Sequence, residues 1–433
     1  VDIRKIVTKL AGTVYRRIFH QEMNPAEVDF VQSLSWVGVG TLIAVALLAV
    51  FSILGGRLLG PEEYGKFVLI QSIAFFLCIP MLMSFDTAML KYNAEKDELT
   101  RQKSIISTTY IIIVGLIAIS VAVMFLFARP LSAVFGATPE LFRFSTYFAV
   151  IYALFTLTQT ALRSVNRMRA FALSQPAHIA IVLIAFAFFL FLGKVTFEAM
   201  VYSKLIGFAV TAFVFHLLFI RRYFSFNLDT AWARTLTRFA AAAIITSIAA
   251  VFYGNIGQII IARYMTVADV GIYGAYFTAT LYIASVLWGI FYMVFFPTAS
   301  RYEDKRPLLH RINRLVPFII VLCIPLLMGV GYVILLVYGG KYPFNILWLA
   351  LFATSAMLFI IWNFYASLLT SEGPRGAFLS SIAAIVTAIV SLGLNLLLVP
   401  AMGIPGAMVA AITAYLVGMV VLLWKGRQYL KTT

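Results

Sequence analysis

Two stretches about 206 residues apart hold the same place in a hydrophobic pattern, and they constrain the fold of this chain more than any other feature. Arg57 to Gly65 reads Arg-Leu-Leu-Gly-Pro-Glu-Glu-Tyr-Gly, and Arg263 to Gly271 reads Arg-Tyr-Met-Thr-Val-Ala-Asp-Val-Gly. In each, an apolar run ends at an arginine, an acidic turn follows, and a glycine eight residues on opens the next run. The match continues downstream. Lys91-Tyr92 leaves one run as Arg301-Tyr302 leaves another, and Leu162, Ala170, Phe171 and Ser174 correspond to Leu369, Ala377, Phe378 and Ser381 at an offset of 207. Two halves that repeat helix by helix predict two lobes around a central path.

The repeated runs are too apolar for a soluble core. The chain is 62% hydrophobic and 12% charged, whereas soluble domains are about a quarter charged, so an integral membrane protein is expected. A net charge of +16 would point to nucleic acid in a soluble chain. In a polytopic one, topology alone gathers Lys and Arg on one side, and no nucleic-acid partner is expected. Cys78 and Cys323 lie inside apolar runs and read as packing residues. His20, His178, His216 and His310 are scattered without ligand spacing, so no metal is expected. The first run begins near Leu34 and is too long for a cleavable signal, while the start at Val1 without methionine reads as processing or trimming.

About twenty apolar residues cross a bilayer core as a helix. Twelve such spans are predicted, at 34–56, 65–89, 104–128, 141–162, 171–192, 196–220, 239–262, 271–296, 315–337, 345–369, 377–399 and 405–424. With the N-terminus inside, the cytoplasmic segments hold 25 of the 33 Lys and Arg, which predicts cytoplasmic N- and C-termini in a plasma (inner) membrane. Six spans per half is an even number, so the repeats are parallel, related by an axis along the membrane normal. The expected fold is therefore an all-α polytopic membrane protein of two six-helix lobes around a central cavity. Its segments are a basic amphipathic arm (1–33), an N-lobe (34–222), a cytoplasmic linker (223–238), a C-lobe (239–424) and a basic tail (425–433). In the arm, Ile3, Ile6, Val7, Leu10, Val14 and Ile18 recur at helical spacing among Arg4, Lys5, Lys9, Arg16 and Arg17, the pattern of a helix on an anionic lipid surface or against a partner. Loops between spans are too short for a nucleotide-binding domain, and no Gly-rich phosphate loop appears, so neither ATP nor any other cofactor is expected.

Several local patterns resemble one family. They are Arg57 with Leu59-Gly60-Pro61-Glu62-Glu63-Tyr64-Gly65, then Lys91-Tyr92-Asn93-Ala94-Glu95, the run from Asn255 through Gln258 to Arg263, and Pro400 with Gly403-Ile404-Pro405-Gly406-Ala407. Together, over the chain after residue 33, they resemble the polysaccharide-biosynthesis flippases (Wzx-type) of the multidrug/oligosaccharidyl-lipid/polysaccharide exporter superfamily. The resemblance implies movement of a polyprenyl-linked oligosaccharide from the cytoplasmic to the outer leaflet for cell-surface polysaccharide assembly. It also implies membrane lipids as partners and, as candidates, polysaccharide polymerase or ligase proteins. Gln258 stands where such proteins often carry an acidic residue in span seven, and the basic arm is longer than theirs.

Such a substrate needs a cation for its phosphate, a polar cavity for its sugars and a lateral gap for its tail. Ionisable residues within spans are costly, so each is a candidate by default. Lys204 is the deepest, some eight residues and about 12 Å into span six, with Met200, Val201, Gly207 and Phe208 at i±3 and i±4 and thus no acid on its own helix. It reads either as a phosphate contact or as one partner of another helix. Arg57 and Arg263 end spans one and seven and read either as phosphate contacts or as bonds to turn carbonyls. Asn255 and Gln258 share a face of span seven between Gly254 and Gly257. With Gln71 in span two and Asn363 in span ten, they read as a sugar surface or as helix–helix glue. Tyr282, central in the aromatic span eight, is a candidate to stack on sugar rings. Asp86, a candidate ion-coupling residue, lies close to the cytoplasmic end of span two and reads alternatively as an interfacial acid capped by Lys91. Pro80, Pro176 and Pro325 read as kinks that permit rocking. No catalytic set presents itself. A cation-coupled multidrug exporter of the same superfamily and a membrane glycan transferase are the competing functions. The first lacks buried carboxylates for cationic drugs, and the second lacks a large outer loop.

Overall fold

A computed structural model describes residues 25–95, 98–289, 291–292, 306–371 and 373–432, with side chains described between 38 and 424 except at 306–312, 315, 319 and 374. The amphipathic pattern over Ile3 to Ile18 and the Arg301-Tyr302 correspondence lie outside the described residues. Among those described, every regular element is helical.

The N-lobe comprises α1 (Pro25–Leu59), α2 (Pro61–Leu82), α3 (Phe85–Ala94), α4 (Leu99–Leu126), α5 (Ala128–Val134), α6 (Pro139–Ser164), α7 (Met168–Phe191) and α8 (Phe197–Phe215). The C-lobe comprises α9 (Thr230–Tyr264), α10 (Val267–Phe277), α11 (Arg306–Tyr338), α12 (Ile346–Thr370), α13 (Pro374–Met402) and α14 (Ile404–Thr432). A π turn at Thr278–Tyr282 carries α10 on through Gly289. Twelve helices are long and apolar enough to cross a membrane, as the sequence predicts. Prolines at the first turns of α2, α6 and α13 set their starts, where a missing N–H costs nothing. The acidic turn of the second repeat is a capping box: Asp269 N donates to Thr266 Oγ1 (3.2 Å) and Thr266 N donates to Asp269 Oδ2 (3.0 Å).

Helices α1, α9 and α11 each begin nine residues before the expected span and α14 runs eight beyond it, while the second span ends early; two of these departures have a visible local cause. The second span, expected over 65–89, stops at Leu82, because Met83 and Ser84 adopt left-handed backbone (φ 42° and 61°) before α3 begins. Two consecutive non-glycine residues in that region are costly and persist only where the surroundings enforce them. The seventh span, expected over 239–262, begins at Thr230 inside the segment read as linker, because Asp229 caps it by accepting from Ala231 N (2.9 Å) and Trp232 N (3.1 Å). Asp229 also accepts from Ser104 Oγ (2.8 Å) and donates its own N–H to Thr108 (3.1 Å), so the linker is fastened to the polar edge of α4. The Trp232 N–H and the Ser104 hydroxyl hold the Asp229 carboxyl below the usual range.

The lobes meet where the sequence repeats. A Cβ on Gly65 of α2 would overlap the carbonyl oxygen of Val267, and a Cβ on Gly271 of α10 would overlap that of Pro61. Pro61 and Val267 are themselves 206 residues apart, so the contact is reciprocal, α2 and α10 crossing about the pseudo-twofold axis with backbone on backbone. Other ties close the same end. Arg57 Nη1 donates to Val337 O (3.3 Å), Arg263 Nη1 to Val134 O (3.4 Å), Lys341 Nζ to Leu58 O (3.3 Å) and Tyr342 OH to Gly56 O (2.9 Å), while the hydroxyls of Tyr64 and Tyr338 pair at 3.2 Å. Each of these contacts joins one lobe to the other.

Gly65→Ala and Gly271→Ala will each lower the melting temperature in detergent, as overpacking of about 1–3 kcal/mol does. The double variant will cost less than the sum, because helices that part for one methyl have already made room for the other; additive losses would refute the reciprocal contact. Asp229→Ala will cost about 1 kcal/mol as a lost N-cap. A depressed carboxyl stabilises above its unfolded pKa and ceases to as pH falls through the folded value. The gap between wild type and Asp229→Ala in thermal melts should therefore be full at neutral pH and close in acid.

Candidate functional site

Behind the closed end lies a cavity of about 340 Å³ between the lobes. Five of the residues singled out in the sequence line it: Gln71 from α2, Lys204 from α8, Asn255 and Gln258 from α9, and Tyr282 from the π turn. Such turns re-aim side chains and recur at functional sites. A second chamber of about 410 Å³ adjoins it, sharing Phe75, Tyr152 and Asn255 and lined further by Ser84, Asp86, Thr87, Thr156 and Ser247.

Lys204 dominates the electrostatics of the deep cavity. It is 4% exposed, and its ammonium lies 5.5 Å from the ring centroids of both Phe51 and Phe208. Cation–π attraction of this kind holds a desolvated ammonium by about 2 kcal/mol, far less than burying a charge costs. Among the described residues, ion pairs join Lys66 to Glu62 and Glu63 and Arg101 to Glu95, and none reaches Lys204. Among the described residues, no carboxylate lines the cavity. No acid among them is placed to pair with Lys204.

Its surroundings are amides and aromatics. The side chains of Gln71 and Gln258 make no hydrogen bond with another described group, and Asn255 Nδ2 donates only to Val251 O of its own helix (3.1 Å). His178, 7% exposed, stacks on Phe208 at 5.3 Å and leaves a buried Nδ1 without a partner. Gln159 Oε1 accepts from Ser174 Oγ (2.8 Å) and Gln175 Nε2 (3.2 Å), which orients Gln175 at the cavity wall. His178, Gln175, Tyr64 and Tyr152 escaped the sequence reading. His178 could have been found by the rule that picked out Lys204, that an ionisable group within a span is a candidate, had it not been weighed only as a metal ligand.

The other candidates sit elsewhere. Arg57 and Arg263 are exposed at the closed end and bond the carbonyls of the opposite lobe, which removes them from the cavity wall. Asn363 donates to Phe359 O (2.9 Å) within α12 and lines neither chamber. Asp86 faces the second chamber from the first turn of α3. Its expected cap by Lys91 is absent: the Lys91 ammonium lies over the rings of Tyr92 (4.9 Å) and Phe239 (4.5 Å), since residues five apart on a helix do not share a face. Burial pushes the Asp86 carboxyl above its ordinary value, against the N–H groups of Thr87 and Asp86 and the charge of Arg163. Among the described residues no group of His, Cys, Asp and Glu could hold a metal ion.

A family model described as polysaccharide biosynthesis protein matches residues 30–303, more than half of the chain. Comparison with curated protein sequences finds no match. The fold is similar to that of an inward-facing multidrug resistance MATE family transporter of the MOP superfamily, with a TM-score of 0.71 and 13% identity over 91% of this chain and 98% of that one. It is also similar to the lipid II flippase MurJ in an inward closed conformation, with a TM-score of 0.66 and 14% identity over 90% of this chain and 87% of that one. A third likeness is to a MOP superfamily transporter from Pyrococcus furiosus, with a TM-score of 0.52 and 15% identity over 92% and 96% of the two chains. At these identities the likeness is one of fold.

Lys204→Met keeps the volume of the side chain and removes an ammonium that has no ion-pair partner among the described residues. Its melting temperature should equal or exceed that of the wild type. A drop of several degrees would reveal a counter-charge for Lys204 within the protein.

Proposed function

The chain belongs to the polysaccharide biosynthesis protein family, and from that premise we propose that it flips a polyprenyl-phosphate- or diphosphate-linked oligosaccharide from the cytoplasmic to the outer leaflet. The observation that carries this reading is Lys204, a cation buried in a cavity of carboxamides and aromatic rings that no carboxylate lines. An anionic head group supplies the missing counter-charge, Gln71, Asn255 and Gln258 offer hydrogen bonds to hydroxyls, and Tyr282 offers a ring face to a sugar. A cavity built for organic cations would need the opposite charge.

The transport cycle follows from the lobes. With the reciprocal contact of Gly65 and Gly271 closed, the head group enters from the end where α1 begins and α14 ends, which charge asymmetry assigns to the cytoplasm. Occupation of Lys204 by an anion offsets its desolvation, and the lobes then part at the glycine contact and close at the other end. Arg57 and Arg263 release their carbonyls in that step, so their role is to latch the closed state. The prenyl tail stays in lipid throughout. Coupling to a proton or sodium gradient, or to the membrane potential acting on the charged head group, drives the cycle in one direction. The setting is a plasma membrane, with polysaccharide polymerase or ligase proteins taking the delivered glycan.

The test is reconstitution in liposomes with a polyprenyl-diphosphate oligosaccharide labelled on its glycan, followed by protection of the label from an external quencher. Wild type should speed transbilayer exchange over empty liposomes, and an imposed gradient that alters the rate would name the coupling ion. Lys204→Ala should reduce exchange at least tenfold, and Lys204→Arg should retain a measurable part of it. No exchange, in a preparation that moves small organic cations, would replace this reading with drug export.

A further inference from the structure

The second chamber suits a neutral ligand better than an anionic one, and the two chambers together give the cavity a direction. Lys204 is the cation of the deep chamber, and Asp86 is the carboxylate of its neighbour. Around Asp86 the wall combines hydroxyls and an amide, from Ser84, Thr87, Thr156, Ser247 and the shared Asn255, with apolar side chains that include Ile79, Leu82 and Ile244. Phe75 and Tyr152, whose rings meet edge-on at 5.2 Å, stand at the junction. Carboxylate, hydroxyls and amide bind sugar hydroxyls, and aromatic faces accept the C–H face of a pyranose.

The backbone is broken to make this chamber. Met83 and Ser84 interrupt the second span in left-handed conformation, which places Ser84 Oγ 2.9 Å from Ser247 Oγ across the lobe boundary and starts α3 so that Asp86 falls in its first turn. A continuous helix through 65–89 would carry residues 84 and 86 around the helix instead of presenting both to the chamber. Consecutive strained non-glycine residues beside a polar cavity are an outlier from which a role may be argued.

We propose that the second chamber reads the first sugar of the lipid-linked glycan and that Asp86 restricts it to a neutral or amino-bearing residue, excluding a uronic acid. This rests on the flippase reading given above. Opposite charges in the two chambers orient the head group, with its phosphate toward Lys204 and its first sugar toward Asp86. A carboxylate on that sugar meets a like charge within a partly desolvated chamber, which lowers occupancy by at least about tenfold.

The experiment uses the full chain in liposomes at neutral pH with two substrates: prenyl-diphosphate glucose and prenyl-diphosphate glucuronic acid. Wild type should move the glucose compound at least tenfold faster. Asp86→Asn should bring the two rates within about threefold of each other, the glucuronate rate rising relative to that of glucose. Equal rates in wild type would overturn the proposal alone, with no variant required. If Asp86→Asn abolishes movement of both compounds and the response to an ion gradient, Asp86 is a coupling site and the proposal fails. If neither compound moves with wild type, the flippase reading falls and takes this inference with it.

Discussion

Two helices that touch backbone to backbone determine what the rest of this molecule can be. Because Gly65 and Gly271 lack side chains, α2 and α10 approach until each would clash with a Cβ on the other, and the repeat makes that contact reciprocal. A crossing with so little side-chain bulk closes one end of the molecule while leaving the lobes apart elsewhere. The interior space, its polar lining and the bonds of Arg57 and Arg263 to opposite carbonyls are arranged behind and around that crossing. Five hydrogen bonds cross between the lobes beside it, and the buried rings of Tyr64 and Tyr338 meet edge-on at 5.9 Å there.

The cavity shows how a membrane protein can carry a charge it does not neutralise. Hydrocarbon-like surroundings make an unpaired ammonium costly, and two aromatic rings offset only part of that cost. The remainder is a standing preference for an anion at Lys204. Gln71 and Gln258, whose side chains bond no other described group, add polar surface without adding charge. Asp86, set apart in its own chamber by the break at Met83 and Ser84, gives the space polarity without forming an ion pair that would cancel the preference. The arrangement has a cost in stability, which an anion bound at Lys204 would offset.

Much of the fold was legible in advance. Twelve spans, two halves and the turn at each repeat follow from apolar run lengths and an offset near 206, because a bilayer requires every backbone group to be satisfied within its own helix. Local chemistry overrode hydropathy at two places. Met83 and Ser84 are neither glycine nor asparagine, and the nearby signal, Pro80, read as a kink and not as the end of the span. The start of α9 at Thr230 was signalled by Asp229, an N-cap residue obscured by the charged composition of the segment that follows. In the site, Lys204, Asn255, Gln258, Gln71 and Tyr282 were found as polar or aromatic exceptions within apolar runs. Arg57 and Arg263 were equally exceptional but bond carbonyls of the opposite lobe outside the cavity, since a position at a span end leaves the direction of a long side chain open.

The sequence alone determined that the chain spans a membrane twelve times, that its halves are equivalent, and which few residues are too polar for their surroundings. Those are properties of one helix at a time and depend on burial in lipid. Tertiary structure alone decided that five of these residues share a cavity, that the two arginines face away from it, that His178 joins Lys204 there, and that Asp86 occupies a separate chamber. These depend on the rotation of each helix about its own axis. In a chain whose helices are apolar on every side, the hydrophobic pattern leaves that rotation free, and close contacts such as Gly65 against Val267 fix it.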